Sequence, residues 1–239
     1  MNLHHIALVA SLVLAAAACH REPSALSQPD APADGSATAE TASDAAKSPL
    51  TLPAVEENWI LPAGLDAGTT LQELQQRFGE GNVSAREIPG AEGETMRGVV
   101  LFEDDPTRRA TLYFQDPEHL HGLSMISVDQ ANSRWKLPSG IGIGAPLADV
   151  QGRNGRPFTF SGFDWDYGGT ITDWRGGKLQ PADDKAISER MQLRMPEGGS
   201  GDKPYPMGDA EFSSDDPRWK DLGIAVGAIS IGFPGEDDP

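Results

Sequence analysis

Apolar residues fall at helical spacing in two short stretches, Leu71, Leu74 and Phe78, and again Leu147 and Val150. In the first, Thr69 and Gln72 have the spacing of a capping box and Gly79 supplies a stop, which predicts a helix over about residues 70–78. In the second, Pro146 takes the first helical position and Gly155 repeats the stop. Each stretch follows a Gly-x-x-x-Gly turn, Gly64 to Gly68 and Gly140 to Gly144, whose glycines suit positive backbone dihedrals and close packing. Runs of β-forming residues come next: 97–102, 110–115 and 123–128 after the first helix, then 158–160, 163–167, 170–174, 191–195 and 225–233 after the second. Glu103-Asp104-Asp105-Pro106-Thr107 reads as a turn between the first two runs. Residues 196–218 are crowded with Gly, Pro, Asp and Ser and form a long loop or insertion, a feature more often functional or mobile than structural.

The two stretches are copies of one another. At a constant offset of 76, Trp59-Ile-Leu61-Pro62-Ala-Gly64-Leu65 matches Trp135-Lys-Leu137-Pro138-Ser-Gly140-Ile141, and Leu71, Gln75, Arg77 and Gly79 match Leu147, Gln151, Arg153 and Gly155. Nine of 21 positions are identical without a gap, where chance would give only one or two, so the repeat is a tandem duplication and not a solenoid period. The expected fold is α+β: two tandem modules, residues 54–134 and 135–239, each a short helical segment packed on an antiparallel β-meander.

The same motif carries a resemblance. The run Gly-x-x-x-Gly-[Thr/Ala]-x-Leu-x-[Glu/Asp]-[Leu/Val] closed by Gly, here Gly64 to Gly79 and Gly140 to Gly155, resembles the helix-opening motif of β-lactamase-inhibitor-protein-like modules and of the outer-membrane assembly lipoproteins BamE (SmpA/OmlA). The resemblance implies helical segments laid on a sheet and presented in the bacterial envelope for protein binding. It covers about 16 residues of each copy. The assembly lipoproteins carry a single module close to the lipid, whereas this chain has two after a long linker, and no inhibitory loop of the inhibitor proteins is matched.

The N-terminus has the layout of a signal peptide. Residues 1–18 hold no Asp, Glu, Lys or Arg, and a run from Ile6 to Leu14, apolar but for Ser11, passes into Ala15 to Ala18 before Cys19. Roughly 13 apolar or small residues fall short of the ~20 that a membrane-crossing helix needs. Cys19, the only cysteine, resembles the lipidated residue of a bacterial lipobox, although Ala16 stands where Leu is usual and His4 and His5 replace basic residues. Ordinary cleavage leaving a free thiol is the other reading. Residues 19–53 are mostly Ala, Ser, Thr, Pro, Asp and Glu without aromatics, a linker too polar to fold that would span roughly 30 Å as a flexible coil. This places the chain in the bacterial cell envelope, as an outer-membrane lipoprotein facing the periplasm by analogy with sorting at His20.

Charge and chemistry narrow the function. With 36 acidic against 19 basic residues and a net charge of -17, binding to nucleic acid is not expected, because counterion release needs clustered Lys and Arg. Gly140-Ile-Gly142-Ile-Gly144-Ala145 formally fits a dinucleotide fingerprint, but no buried parallel strand precedes it and Pro146 follows. No Gly-x-Ser-x-Gly elbow occurs, and His119 and His121 are the only histidines beyond the N-terminal region; they read as surface residues, not as half of a metal site. No cofactor and no metal is expected.

The most unusual stretch runs from Phe158 to Trp174. Gly168-Gly169 suits a two-residue hairpin turn, which would pair Tyr167 with Thr170, Trp165 with Thr172 and Phe163 with Trp174 on one face, and set Asp164 opposite Asp173 on the other. An aromatic core face over a solvated acidic face is one reading; a partly open face that binds a partner through Phe163, Trp165, Tyr167 and Trp174 is the other. The expected function is a non-catalytic envelope lipoprotein that binds another protein or a wall component. Its rival is an envelope hydrolase acting through carboxylates that the sequence does not single out.

Overall fold

The computed structural model describes residues 59–181 and 187–235. The expected signal segment 1–18, Cys19 and the expected linker to residue 53 lie outside the described residues.

Two eight-residue helices, α1 (Leu71–Phe78) and α2 (Leu147–Asn154), stand where the apolar spacing places them. The cap of α1 is shifted by one residue from the expected Thr69 and Gln72. The Thr70 hydroxyl accepts from the Glu73 amide and the Glu73 carboxylate accepts from the Thr70 amide. Thr69 is engaged elsewhere, its hydroxyl taking the Asp66 amide at 3.0 Å inside the preceding turn. Leu74 and Phe78 are the buried face of α1, and a fully buried Leu side chain stabilises by roughly 1.5–3 kcal/mol. Pro146 sits just before α2, its carbonyl accepting from the Asp149 and Val150 amides. Gly79 and Gly155 close the two helices with φ of 86° and 77°, which only glycine adopts without strain.

The strands form an α+β plan with antiparallel sheets. In chain order they are β1 (Val83–Pro89), β2 (Thr95–Leu101), β3 (Ala110–Asp116), β4 (His121–Val128), β5 (Thr159–Ser161), β6 (Ile171–Asp173), β7 (Ser188–Arg194), β8 (Glu211–Ser213) and β9 (Ala225–Gly232). One sheet has six strands in the order β1-β2-β3-β4-β9-β7, so strands that follow α2 extend the meander that follows α1. A smaller sheet has the order β6-β5-β8. β1 and β8 are absent from the sequence expectation, and residues 163–167 form no strand.

The two Leu-Pro-x-Gly turns meet. The Lys136 amide donates to the Trp59 carbonyl at 2.7 Å and the Leu61 amide to the Lys136 carbonyl at 2.8 Å, a short parallel bridge between corresponding segments. The Trp59 and Trp135 indoles stand edge to face with centroids 4.8 Å apart. Phe102 links this pair to Phe78 of α1, and the Trp135 indole N–H donates to the Arg108 carbonyl at 2.7 Å. In both copies an arginine of the helix backs the glycine turn: Arg77 donates to the Gly64 carbonyl and Arg153 to the Ser139 carbonyl.

Where α1 ends on the apolar Phe78, α2 ends on Asn154, which is 1% exposed. Its amide donates to the Arg156 and Trp174 carbonyls and its oxygen accepts from the Leu179 amide. A Cβ on Gly177 would lie 2.0 Å from that oxygen, so the chain can pass Asn154 only as glycine. This polar hub ties α2 to Trp174 at the end of β6, and Trp174 packs on Phe158 at 5.2 Å.

Candidate functional site

The loop between β5 and β6 is the most unusual surface feature. β5 and β6 pair Thr159 with Asp173 and Phe160 with Ile171, so the expected two-residue hairpin at Gly168-Gly169 does not form, and a wider loop spans residues 162–170. Its shape is set by docking on two sides. On one, the Gly162 amide donates to the Ala210 carbonyl, Phe163 to Pro206, and Gly208 back to Phe163. On the other, the Leu193 amide of β7 donates to the Gly169 carbonyl and the Gln192 side chain to the Gly168 carbonyl. Gly162 and Gly169 are glycine for space: a Cβ would fall 2.3 Å from the Gly208 oxygen in one case and 2.2 Å from the Leu193 oxygen in the other. These tertiary bonds prevail over the local turn preference of Gly-Gly.

Asp164 and Tyr167 both have φ of 61°, left-handed backbone that is uncommon outside glycine and breaks the alternation a strand would need. The four aromatic candidates are thereby divided. Phe163 and Trp174 are buried, Phe163 against Phe160 and Trp174 against Phe158. Trp165 is 60% exposed and Tyr167 81%. Asp164 does not face Asp173. Its carboxylate accepts from the Tyr205 hydroxyl at 2.5 Å, which together with burial pushes that phenol up from its ordinary pKa. Asp173 accepts from the Arg175 amide instead.

Met207, 59% exposed, completes the patch; it is bridged to Phe163 and lies 3.2 Å from the Tyr205 hydroxyl. Trp165, Tyr167 and Met207 are the large exposed apolar side chains among the described residues, and all three come from two segments hydrogen-bonded to one another. A cleft of about 610 Å³ opens on the β7 side of the loop and another of about 490 Å³ on the 208–211 side, with Trp165, Asp166 and Tyr167 forming the ridge between them. Met207 and Tyr205 were hidden in the sequence within the polar 196–218 stretch, where the only signal is an isolated Tyr-Pro-Met among Gly and Asp.

The remaining candidates hold no such grouping. His119 bonds Asp116 at 2.9 Å, and His121 pairs with Asp116 across the β3–β4 turn. Among the described residues no three His, Cys, Asp or Glu converge on a metal position, and no helix is long and apolar enough to cross a membrane. The formal dinucleotide motif turns back on its own entry, the Leu137 amide donating to the Ile141 carbonyl, and its end lies against β9, with Gly144 donating to the Val226 carbonyl and the following Pro146 bridged to Ala225. No protein-family model matches the chain, and no curated protein or solved structure matches it significantly.

Proposed function

We propose that this chain is a non-catalytic, lipid-anchored component of the bacterial cell envelope that binds another protein or a wall component through the Phe163–Gly168 loop. One observation carries the reading: the exposed large apolar side chains gather on one hydrogen-bonded loop and its neighbour, whereas single exposed apolar residues are normally scattered. The apolar run before Cys19 and the polar linker after it supply the anchor and the reach. The constant offset of α1 and α2, with the matched Arg77 and Arg153 contacts, supports two tandem modules, each opened by the helix motif that resembles inhibitor-like and BamE-like modules. The carboxylates with displaced pKa give the hydrolase reading little help. Asp105 is held low by hydrogen bonds from Thr107 and Arg108, Asp116 by His119 and Asp216 by Arg218, whereas a general acid needs the opposite displacement.

Two experiments test this. Cys19→Ala should move the protein from the membrane to the soluble periplasmic fraction; continued fractionation with membranes sinks the anchor. Immobilised full-length chain should capture an envelope component that Trp165→Ala and Tyr167→Ala both lose, while circular dichroism shows their folds intact. Capture indifferent to both substitutions removes the loop from the function.

A further inference from the structure

The aromatic ridge has a charged setting. The cleft on the β7 side is lined by Asp129, Asp164 and Asp166 with Arg194 as its one base, and the cleft on the other side by Asp166, Asp209 and Glu211 with none. Asp166, Asp209 and Glu211 are exposed. Arg194 is exposed as well, its stem fixed against β9, where a Cβ on Gly227 would fall 2.5 Å from the Arg194 Cβ, so the carboxylates of this cleft outnumber its base three to one. Exposed indole and phenol faces in such surroundings attract cations, and the net charge of -17 steers basic partners while repelling anionic ones, an anionic bilayer included.

Resting on the docking role proposed above, we propose that the occupant of the loop is a basic polypeptide segment, with Lys or Arg side chains lying on Trp165 and Tyr167 and reaching the carboxylates on both sides of the ridge. A point cation would engage one cleft. A segment laid across the ridge engages both, and its apolar residues cover Met207 and the rims of the two rings. Glycan stacking on Trp165 makes no use of the acids and is the outcome to be told apart.

The test uses the full-length chain and fluorescence anisotropy with a fluorescein-labelled peptide alternating Lys with Leu and Ala, its Glu-for-Lys counterpart, and a labelled N-acetylglucosamine oligomer. Two variants remove equal charge: Asp166→Asn/Asp209→Asn/Glu211→Gln at the loop, and Glu87→Gln/Glu92→Gln/Glu94→Gln on the exposed β1–β2 hairpin. The Lys peptide should bind the unmodified chain and weaken with salt; the loop variant and Trp165→Ala should each weaken it at least about tenfold, and the hairpin variant less than about twofold. Equal weakening by the two charge variants, or no binding of the Lys peptide, overturns the proposal. Binding of the glycan oligomer, or of a captured envelope component, that Trp165→Ala abolishes and the loop variant spares also overturns it but leaves the loop as a docking surface. Indifference of every probe and of envelope capture to Trp165→Ala and Tyr167→Ala removes both.

Discussion

Trp135 and Trp165 belong to the same half of the chain and have opposite fates. Trp135 is 1% exposed, its ring against Trp59 and its N–H bonded to the Arg108 carbonyl; Trp165 is 60% exposed between two aspartates. Hydrophobicity does not distinguish them. What differs is the backbone: Trp135 sits in a segment bridged to Ile60 and Gly142, while Trp165 lies between the left-handed residues Asp164 and Tyr167 on a loop pinned at both ends. The lesson is that display of an aromatic side chain here is imposed by main-chain docking, and so survives without a partner to cover it.

The largest effect expected from breaking this contrast is at Trp135. Trp135→Ala should cost ~3–5 kcal/mol by leaving a cavity in the core and an unpaired Arg108 carbonyl, read as a large fall in Tm. A smaller loss is expected at Asn154, whose side-chain amide holds the Trp174 main-chain carbonyl just beyond β6. Asn154→Ala should cost about 1–3 kcal/mol by stranding the Trp174 carbonyl and the Leu179 amide, and urea titration will read it. Trp165→Ala should stay within ~1 kcal/mol of the parent; a loss matching that of Trp135→Ala would make the loop part of the core and erase the contrast. The smallest effect concerns the turn that presents Arg108 to Trp135. Asp105, hydrogen-bonded by Thr107 and then by Arg108, titrates below the usual carboxylate range. Its contribution is therefore present above the unfolded value of about 3.9 and disappears as pH falls through the lower folded value. Melts from about pH 5 down to pH 2 should fall less steeply for Asp105→Asn than for the parent.

Local signals carried much of the fold. Both helices, their glycine stops and strands near 97–102, 110–115, 123–128 and 225–233 could be read from spacing, because capping and alternation are properties of neighbouring residues. β1 was not legible: Ala85, Arg86, Glu87 and Pro89 are poor strand formers, and the strand exists through its pairing with β2 along Val83–Pro89. The loop failed for the same reason in reverse. Gly168-Gly169 is a sound hairpin signal, overridden by partners at residues 206–210 and on β7 that no local window contains. At the site, Trp165 and Tyr167 were legible as aromatics but not as the exposed pair. Exposure was decided by φ at Asp164 and Tyr167, and neither residue type announces it.

The parallel bridge between the two Leu-Pro turns has a mechanical side. The Trp59 carbonyl accepts from the Lys136 amide, and the Leu61 amide donates to the Lys136 carbonyl. A pull directed along this segment loads the two bonds together, in shear, instead of opening them one after another. Behind them the Trp59 ring is braced against Trp135 and Phe102, so sliding the segment would also draw that ring out of the core. Under such a load the two related segments would resist as one seam, and the yielding of that seam would limit the rate of forced unfolding.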